Sequence, residues 1–254
     1  NFNSVKDISD NSESGKLTLY AKNFEGYRNL TKLVSQSHIE GRIRSTPHLK
    51  LEWLKNLNEG LILLSGDMEG HIAEAILKNN FELAEARIDF FKKIFNEDFF
   101  IEISRLGRER EEDYINIVSN IAAKAKIPLV ATNQVRFMEE EEFEAHETRV
   151  CIQNGNVLSD PSRKKNYLST QYFKSIEEMS ELFEDIPEAL ENSYLISQKC
   201  NLEIELGKYI LPDFETPNGE TEDDYLKKIS IRGLHKIFGD EVKEDYFSRL
   251  DFEL

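Results

Sequence analysis

Residues 127–155 read IPLVATNQVRFMEEEEFEAHETRVCIQNG, and the opening of this stretch decides the fold. Pro128, Leu129, Val130 and Ala131 make a short apolar run suited to an interior strand, and Thr132, Asn133, Gln134, Val135 and Arg136 leave its carboxyl end. In α/β proteins that end of a strand is where ligands bind. A divalent cation there calls for His, Cys, Asp or Glu, whereas this chain supplies the amide of Gln134 and the guanidinium of Arg136. The stretch therefore reads as a buried strand running into a metal site whose ligands have been erased.

Upstream, strand and helix patterns alternate. A strand is expected near Leu17 to Ala21, then a helix from about Gly26 to Ser37 with Tyr27, Leu30, Leu33 and Val34 on one face. A second strand, Leu61 to Ser65, leads through GDMEGH into helical segments around Ile72 to Leu77 and Leu83 to Phe95. A third, Phe99 to Ile103, precedes a helix from about Glu112 to Ala125 and the Leu129 strand. This order predicts a largely parallel sheet. After Asn154 the alternation stops: a polar loop leads to helices near Ile176 to Phe183 and Pro187 to Cys200. Ile210 to Gly219, with Pro212 and Pro217, reads as a linker, so a domain boundary is placed near Asp213, between residues 1–213 and 214–254. Thr221 and Asp224 form a capping pattern ahead of a helix carrying Tyr225, Leu226, Ile229 and Leu234. The chain opens without methionine and stops while Tyr246, Phe247, Leu250 and Leu254 still keep helical spacing, so neither terminus reads as a natural end.

With 39% apolar residues, including 16 Phe and 9 Tyr, the 254 residues suffice for a substantial core, and 31% charged residues give a solvated surface. No apolar run approaches the ~20 residues that span a bilayer, and the first residues lack a signal segment, so the expectation is a soluble cytoplasmic protein. Cys151 and Cys200, each in an expected helix, read as reduced and buried. A net charge of −16 repels phosphates and disfavours direct DNA binding, while Arg105, Arg108 and Arg110, then Arg163, Lys164 and Lys165, read as solvated loop charges.

Several long segments carry a resemblance: LTLYAKNFEGYRNLTKLVS at 17–35, NEGLILLSGDMEGHIAEAIL at 58–77, IPLVATNQVRF at 127–137, AHETRVCIQNG at 145–155, DIPEALENSYLISQKCNLEIELGKYILPDF at 185–214 and GETEDDYLKK at 219–228. In this order they resemble the polymerase-and-histidinol-phosphatase (PHP) domain of the bacterial replicative DNA polymerase III alpha subunit family. The resemblance implies an α/β fold, a distorted PHP-type β/α barrel lacking its first units with their His-x-His and Asp-His motifs, followed by helical segments. It implies that residues after about Gly219 enter the polymerase palm, with the nucleotidyl-transfer aspartates beyond Leu254. It also implies partners: the proofreading exonuclease subunit and other replicase subunits, with DNA held by other parts of the parent chain.

Followed position by position, the resemblance implies a degenerate metal site. Lys16 stands where active family members have histidine, Asp67 where they have cysteine, and Leu106 before Gly107 where they have histidine. Gln134 and Arg136 replace an Asp and a His. Only Asp67 is left as a ligand in this reading, Lys16 and Arg136 would repel cations, and no cofactor is expected. Two further expectations follow: Lys16 or Arg136 neutralises Asp67, and Arg105 with Arg136 converts the former metal pocket into an anion site.

The remaining signals have plainer explanations. His146 lacks a second histidine at ligand spacing and reads as packing or capping. Glu139 to Glu142 read as a helix start, SGDMEG as a strand-to-helix turn needing Gly66, and Trp53 as core under a loop. Two functions compete: a structural, partner-docking module of a DNA polymerase, which the erased ligands favour, and a metal-dependent phosphoesterase or 3′–5′ exonuclease.

Overall fold

The runs Leu61–Leu64 and Phe99–Ile103 are buried at every residue, and the fold is built by covering both faces of the strands they form. The computed structural model describes residues 2–5, 14–209, 211–217, 219–239 and 241–254. Parts of the expected linker, Ile210 and Asn218, lie outside them, as do most of the first ten residues.

In chain order the strands are β1 (Phe2–Val5), β2 (Gly15–Ala21), β3 (Arg42–Ile43), β4 (Thr46–Pro47), β5 (Leu49–Lys50), β6 (Leu61–Leu64), β7 (Phe99–Ile103) and β8 (Leu129–Ala131). The helices are α1 (Phe24–Ile39), α2 (His71–Leu77), α3 (Phe81–Phe95), α4 (Glu111–Ala125), α5 (Phe143–Asn154), α6 (Ile176–Leu182), α7 (Pro187–Lys199), α8 (Glu222–Phe238) and α9 (Glu244–Glu253). Six strands form one sheet in the order β5-β1-β2-β6-β7-β8, while β3 and β4 form a separate two-stranded ladder. Among the described residues the sheet is open, with β5 and β8 at its edges.

Among the four strands expected from the sequence the sheet is mostly parallel, with one reversed member. β6, β7 and β8 are parallel, but β2 runs antiparallel to both β1 and β6. The short strands β3 to β5 lie between α1 and β6 in the chain. Two-residue strands leave no periodic signal, so alternation alone does not reveal them.

Alternate residues of each strand feed two cores. Leu61 and Leu63 of β6, with Phe99, Ile101 and Ile103 of β7, join Leu17, Leu33, Ile88, Phe91, Tyr114 and Val118 in the larger one. Ile62, Leu64, Phe100 and Val130 point to the other face, where Ile196 of α7 covers them. Each fully buried Leu, Ile or Phe contributes roughly 1.5–3 kcal/mol relative to exposure.

Local chemistry fixes the helix ends. Asn23 accepts a bond from Gly26 N to start α1, and a Cβ on Gly26 would lie 1.9 Å from the Gly60 carbonyl oxygen, so that approach requires glycine. The acidic run forms a 3-10 turn, Glu140–Glu142, with a reciprocal capping box between Glu139 and Glu142, as expected of a helix start. Ser175 with Glu178 caps α6 in the same way, Pro187 opens α7, and Thr221 caps α8. Cys151 lies buried in α5, whereas Cys200 caps the end of α7 and is only partly buried. Trp53 packs partly buried against the larger core.

The chain divides into two compact units, residues 1–204 and 205–254, a division earlier than the linker signals around Asp213 indicated. No helix among the described residues is long and apolar enough to cross a membrane.

Candidate functional site

The parallel run of β6, β7 and β8 brings three carboxyl ends side by side. Asp67 follows β6, Ser104 to Arg108 follow β7, and Gln134 follows β8. Because β2 is antiparallel to β6, its amino end, with Lys16, arrives at the same edge of the sheet. Gly66 (φ 86°) and Asp67 (φ 50°) both adopt left-handed backbone between β6 and the turn that leads to α2. A Cβ on Gly66 would lie 2.0 Å from the Lys16 carbonyl oxygen, so β2 can approach only a glycine there.

The Asp67 carboxylate is fully buried and saturated with donors. Ser104 donates its N–H to Oδ1 (3.2 Å) and its hydroxyl to Oδ2 (2.5 Å), while Gln134 Nε2 (3.3 Å) and Arg108 Nη1 (3.0 Å) also reach Oδ2. Arg108 Nη2 donates to Gln134 Oε1 at 2.7 Å. Burial pushes the Asp67 carboxyl up, partly offset by Ser104 and Arg108.

Arg108 is aimed by its own turn. The N–H groups of Leu106 and Gly107 (both 2.8 Å) and Arg108 (3.4 Å) converge on one oxygen of the buried Glu111 carboxylate. Glu102 sits beside this cluster, 7% exposed. It accepts from Gly66 N (3.2 Å) and the Thr132 hydroxyl (2.9 Å). Burial pushes its carboxyl up to about 7, with the nearby Asp67 charge adding to the effect.

Over these groups opens a cleft of about 310 Å³ whose walls include Lys16, Tyr20, Glu69, Glu102, Gln134 and Arg136. The structure thus gathers Lys16, Asp67 and Gln134 around one strand-end region, with Arg136 at the cleft wall. Leu106 is buried and takes part through its backbone: its carbonyl accepts from the Thr170 hydroxyl.

Several expectations change. Asp67 is neutralised by Arg108, not by Lys16 or Arg136: Lys16 Nζ pairs with Glu69 at 2.6 Å, and the Arg136 guanidinium lies over the Tyr167 ring at 5.5 Å. Asp67 is also not the only carboxylate at the site, since Glu69 and Glu102 line the cleft. Arg105 does not share the cleft with Arg136. Its guanidinium engages Asp185 (2.5 and 2.8 Å), Glu112 (3.0 and 3.3 Å) and the Leu182 carbonyl, and lies over Phe183. Arg105, Arg108 and Arg163 are paired rather than solvated; Arg163 forms a buried ion pair with Glu147. His146 packs edge-on to Tyr167 and beside Phe137, in keeping with a packing role.

The donor set does not fit a divalent ion. The Asp67 oxygens already accept four hydrogen bonds, one of them from an arginine, while Glu102 accepts from Gly66 N and the Thr132 hydroxyl and Glu69 pairs with Lys16. Among the described residues no group of three or more His, Cys, Asp or Glu is arranged to hold a metal.

The residues missed in the sequence are Glu102, Ser104, Arg108 and Glu111. The available signal was their position: all lie at or just beyond the end of the β7 run, where the fold predicts function.

The PHP domain family matches residues 4–106. The chain is 44% identical over 249 residues to DNA polymerase III subunit alpha of Pseudomonas aeruginosa, covering 94% of this chain and 21% of that protein. It is 44% identical over 251 residues to the Vibrio cholerae protein of the same name (95% and 22%), and 42% identical over 247 residues to that of Escherichia coli K12 (94% and 21%). The chain spans about a fifth of the length of these curated relatives. Residues 4–106 are thus similar to the PHP domain family, and along nearly its whole length the chain is similar to one region of DNA polymerase III alpha subunits.

Proposed function

We propose that this chain is the PHP region of a replicative DNA polymerase III alpha subunit, a DNA-directed DNA polymerase of chromosomal replication in the cytoplasm. In this reading the region is a degenerate, metal-free PHP domain that acts as a scaffold for the polymerase and docks the proofreading exonuclease subunit. Residues before about Asp213 belong to a β/α barrel completed by further strands, and those after it lead into the palm. No cofactor belongs to this part of the chain, and other replicase subunits and DNA meet other parts of the parent protein.

The observation that carries the reading is the saturation of Asp67 by Ser104, Gln134 and Arg108, which leaves the strand-end carboxylate with no free face for an ion. The similarity to polymerase alpha subunits over 94% of the chain supports the parent identity.

The test uses the full-length polypeptide. After incubation with zinc and manganese and removal of loose ions, metal analysis should find no stoichiometric metal, and affinity chromatography should retain the exonuclease subunit through the PHP region. Tightly held metal together with phosphoesterase turnover would instead support a metal-dependent phosphoesterase or 3′–5′ exonuclease.

A further inference from the structure

The saturation of Asp67 raises a sharper question, namely what keeps a carboxylate charged in a site from which metal ions are excluded. A buried carboxylate must be protonated, or matched by a cation with further hydrogen bonds. We infer that Arg108 is the resident cation of this site: its guanidinium does the electrostatic work of a divalent ion and ties the ends of β6, β7 and β8 together. The inference builds on the metal-free reading of the region.

Arg108, Asp67 and Gln134 form a closed ring of three side chains. Arg108 Nη1 meets Asp67 Oδ2 at 3.0 Å, Arg108 Nη2 meets Gln134 Oε1 at 2.7 Å, and Gln134 Nε2 returns to Asp67 Oδ2 at 3.3 Å. The fork of a guanidinium can serve two acceptors at once, which an ammonium group cannot do in the same geometry. The amide is the complementary element, since it offers an acceptor to the arginine and a donor to the aspartate. A second carboxylate at position 134 would bring another negative charge to Asp67.

The neighbouring cations are engaged elsewhere: Lys16 with Glu69, Arg105 with Asp185 and Glu112, and Arg136 over Tyr167. Glu111 is the positioning residue, because its carboxylate gathers the N–H groups of the turn from which Arg108 projects.

The experiment is a double-mutant cycle on the full-length polypeptide, following the unfolding of the PHP region by thermal scans with and without manganese. Arg108→Met should lower the midpoint by about 5–12 °C. In an Asp67→Asn background the same change should cost less than half as much, because no buried charge is then left unmatched. Arg108→Lys should restore little of the loss, and manganese should leave the wild-type midpoint unmoved. Additive losses from Asp67→Asn and Arg108→Met would overturn the role of Arg108 while leaving the metal-free reading intact. A manganese-dependent rise in the wild type, abolished by Asp67→Asn, would overturn both. Should Arg108→Met fail to fold, the Asp67→Asn/Arg108→Met chain decides: folding supports the inference, and failure to fold overturns it.

Discussion

Arg163 Nη1 lies 2.5 Å from the Glu147 carboxylate, and the two side chains are only 8% and 3% exposed. The pair fastens the polar loop after α5 to that helix, and Arg163 also donates to the Leu158 carbonyl within the loop. Removing one member strands a buried charge. Arg163→Met is expected to cost about 3–5 kcal/mol, while Glu147→Gln/Arg163→Met should recover much of it. Denaturant titration of the three variants measures this, and a loss near zero for Arg163→Met would mean that the ion pair does not hold the loop.

Glu102 should make stability fall as pH rises. Its folded value of about 7 stands above the ordinary 4.5, so the folded protein holds its proton more tightly than the unfolded chain. The resulting penalty is absent below about pH 4.5, grows between 4.5 and 7, and is complete above 7, reaching on the order of 3 kcal/mol. Glu102→Gln keeps the shape, can still accept from Gly66 N, and can donate to the Thr132 hydroxyl. Stability curves at pH 5 and pH 8 should therefore lie closer together in Glu102→Gln than in the wild type. Equal pH dependence in both proteins would contradict the assignment.

Gly66→Ala combines a left-handed backbone, φ 86°, with a Cβ placed 2.0 Å from the Lys16 carbonyl. Backbone rather than a flexible side chain blocks the space, so β2 and β6 must part. A loss of about 3 kcal/mol or more is expected. Thermal unfolding gives the loss, and weaker hydrogen-exchange protection at Thr18 and Leu64 would locate it.

Lys16→Met provides a contrast. The Lys16–Glu69 pair is exposed, with side chains 42% and 45% accessible. Its removal should change stability by no more than about 1 kcal/mol. A larger effect would show that Lys16, and not Arg108 alone, carries the charge balance of the strand ends.

The strands with continuous apolar runs were legible because burial on both faces leaves an unmistakable pattern: Phe99–Ile103 has the bounds its sequence indicated, and Leu61–Leu64 differs by one residue. The turn at Gly66 and the caps at Thr221 and Pro187 were readable for similar reasons, since each depends on local chemistry. The reversed direction of β2 was not readable, because an apolar run carries the same pattern whichever way its strand points. The site was legible in outline but not in its pairings. Lys16, Asp67 and Gln134 do gather at one edge of the sheet, yet which cation reaches Asp67 depends on a turn shaped by Glu111. Arg108 looked like one of several loop arginines, and nothing in its spacing distinguishes it from Arg105 or Arg110.

The contacts that hold Asp67 cross 37, 41 and 67 residues of chain to Ser104, Arg108 and Gln134. Such distant closures carry a large loop-entropy cost that only an already collapsed sheet can offset. The cluster should therefore form after the folding barrier has been crossed. Substitutions at Asp67 or Arg108 would then accelerate unfolding while leaving the refolding rate nearly untouched, making the strand-end cluster a latch on the lifetime of the folded state rather than a guide to reaching it.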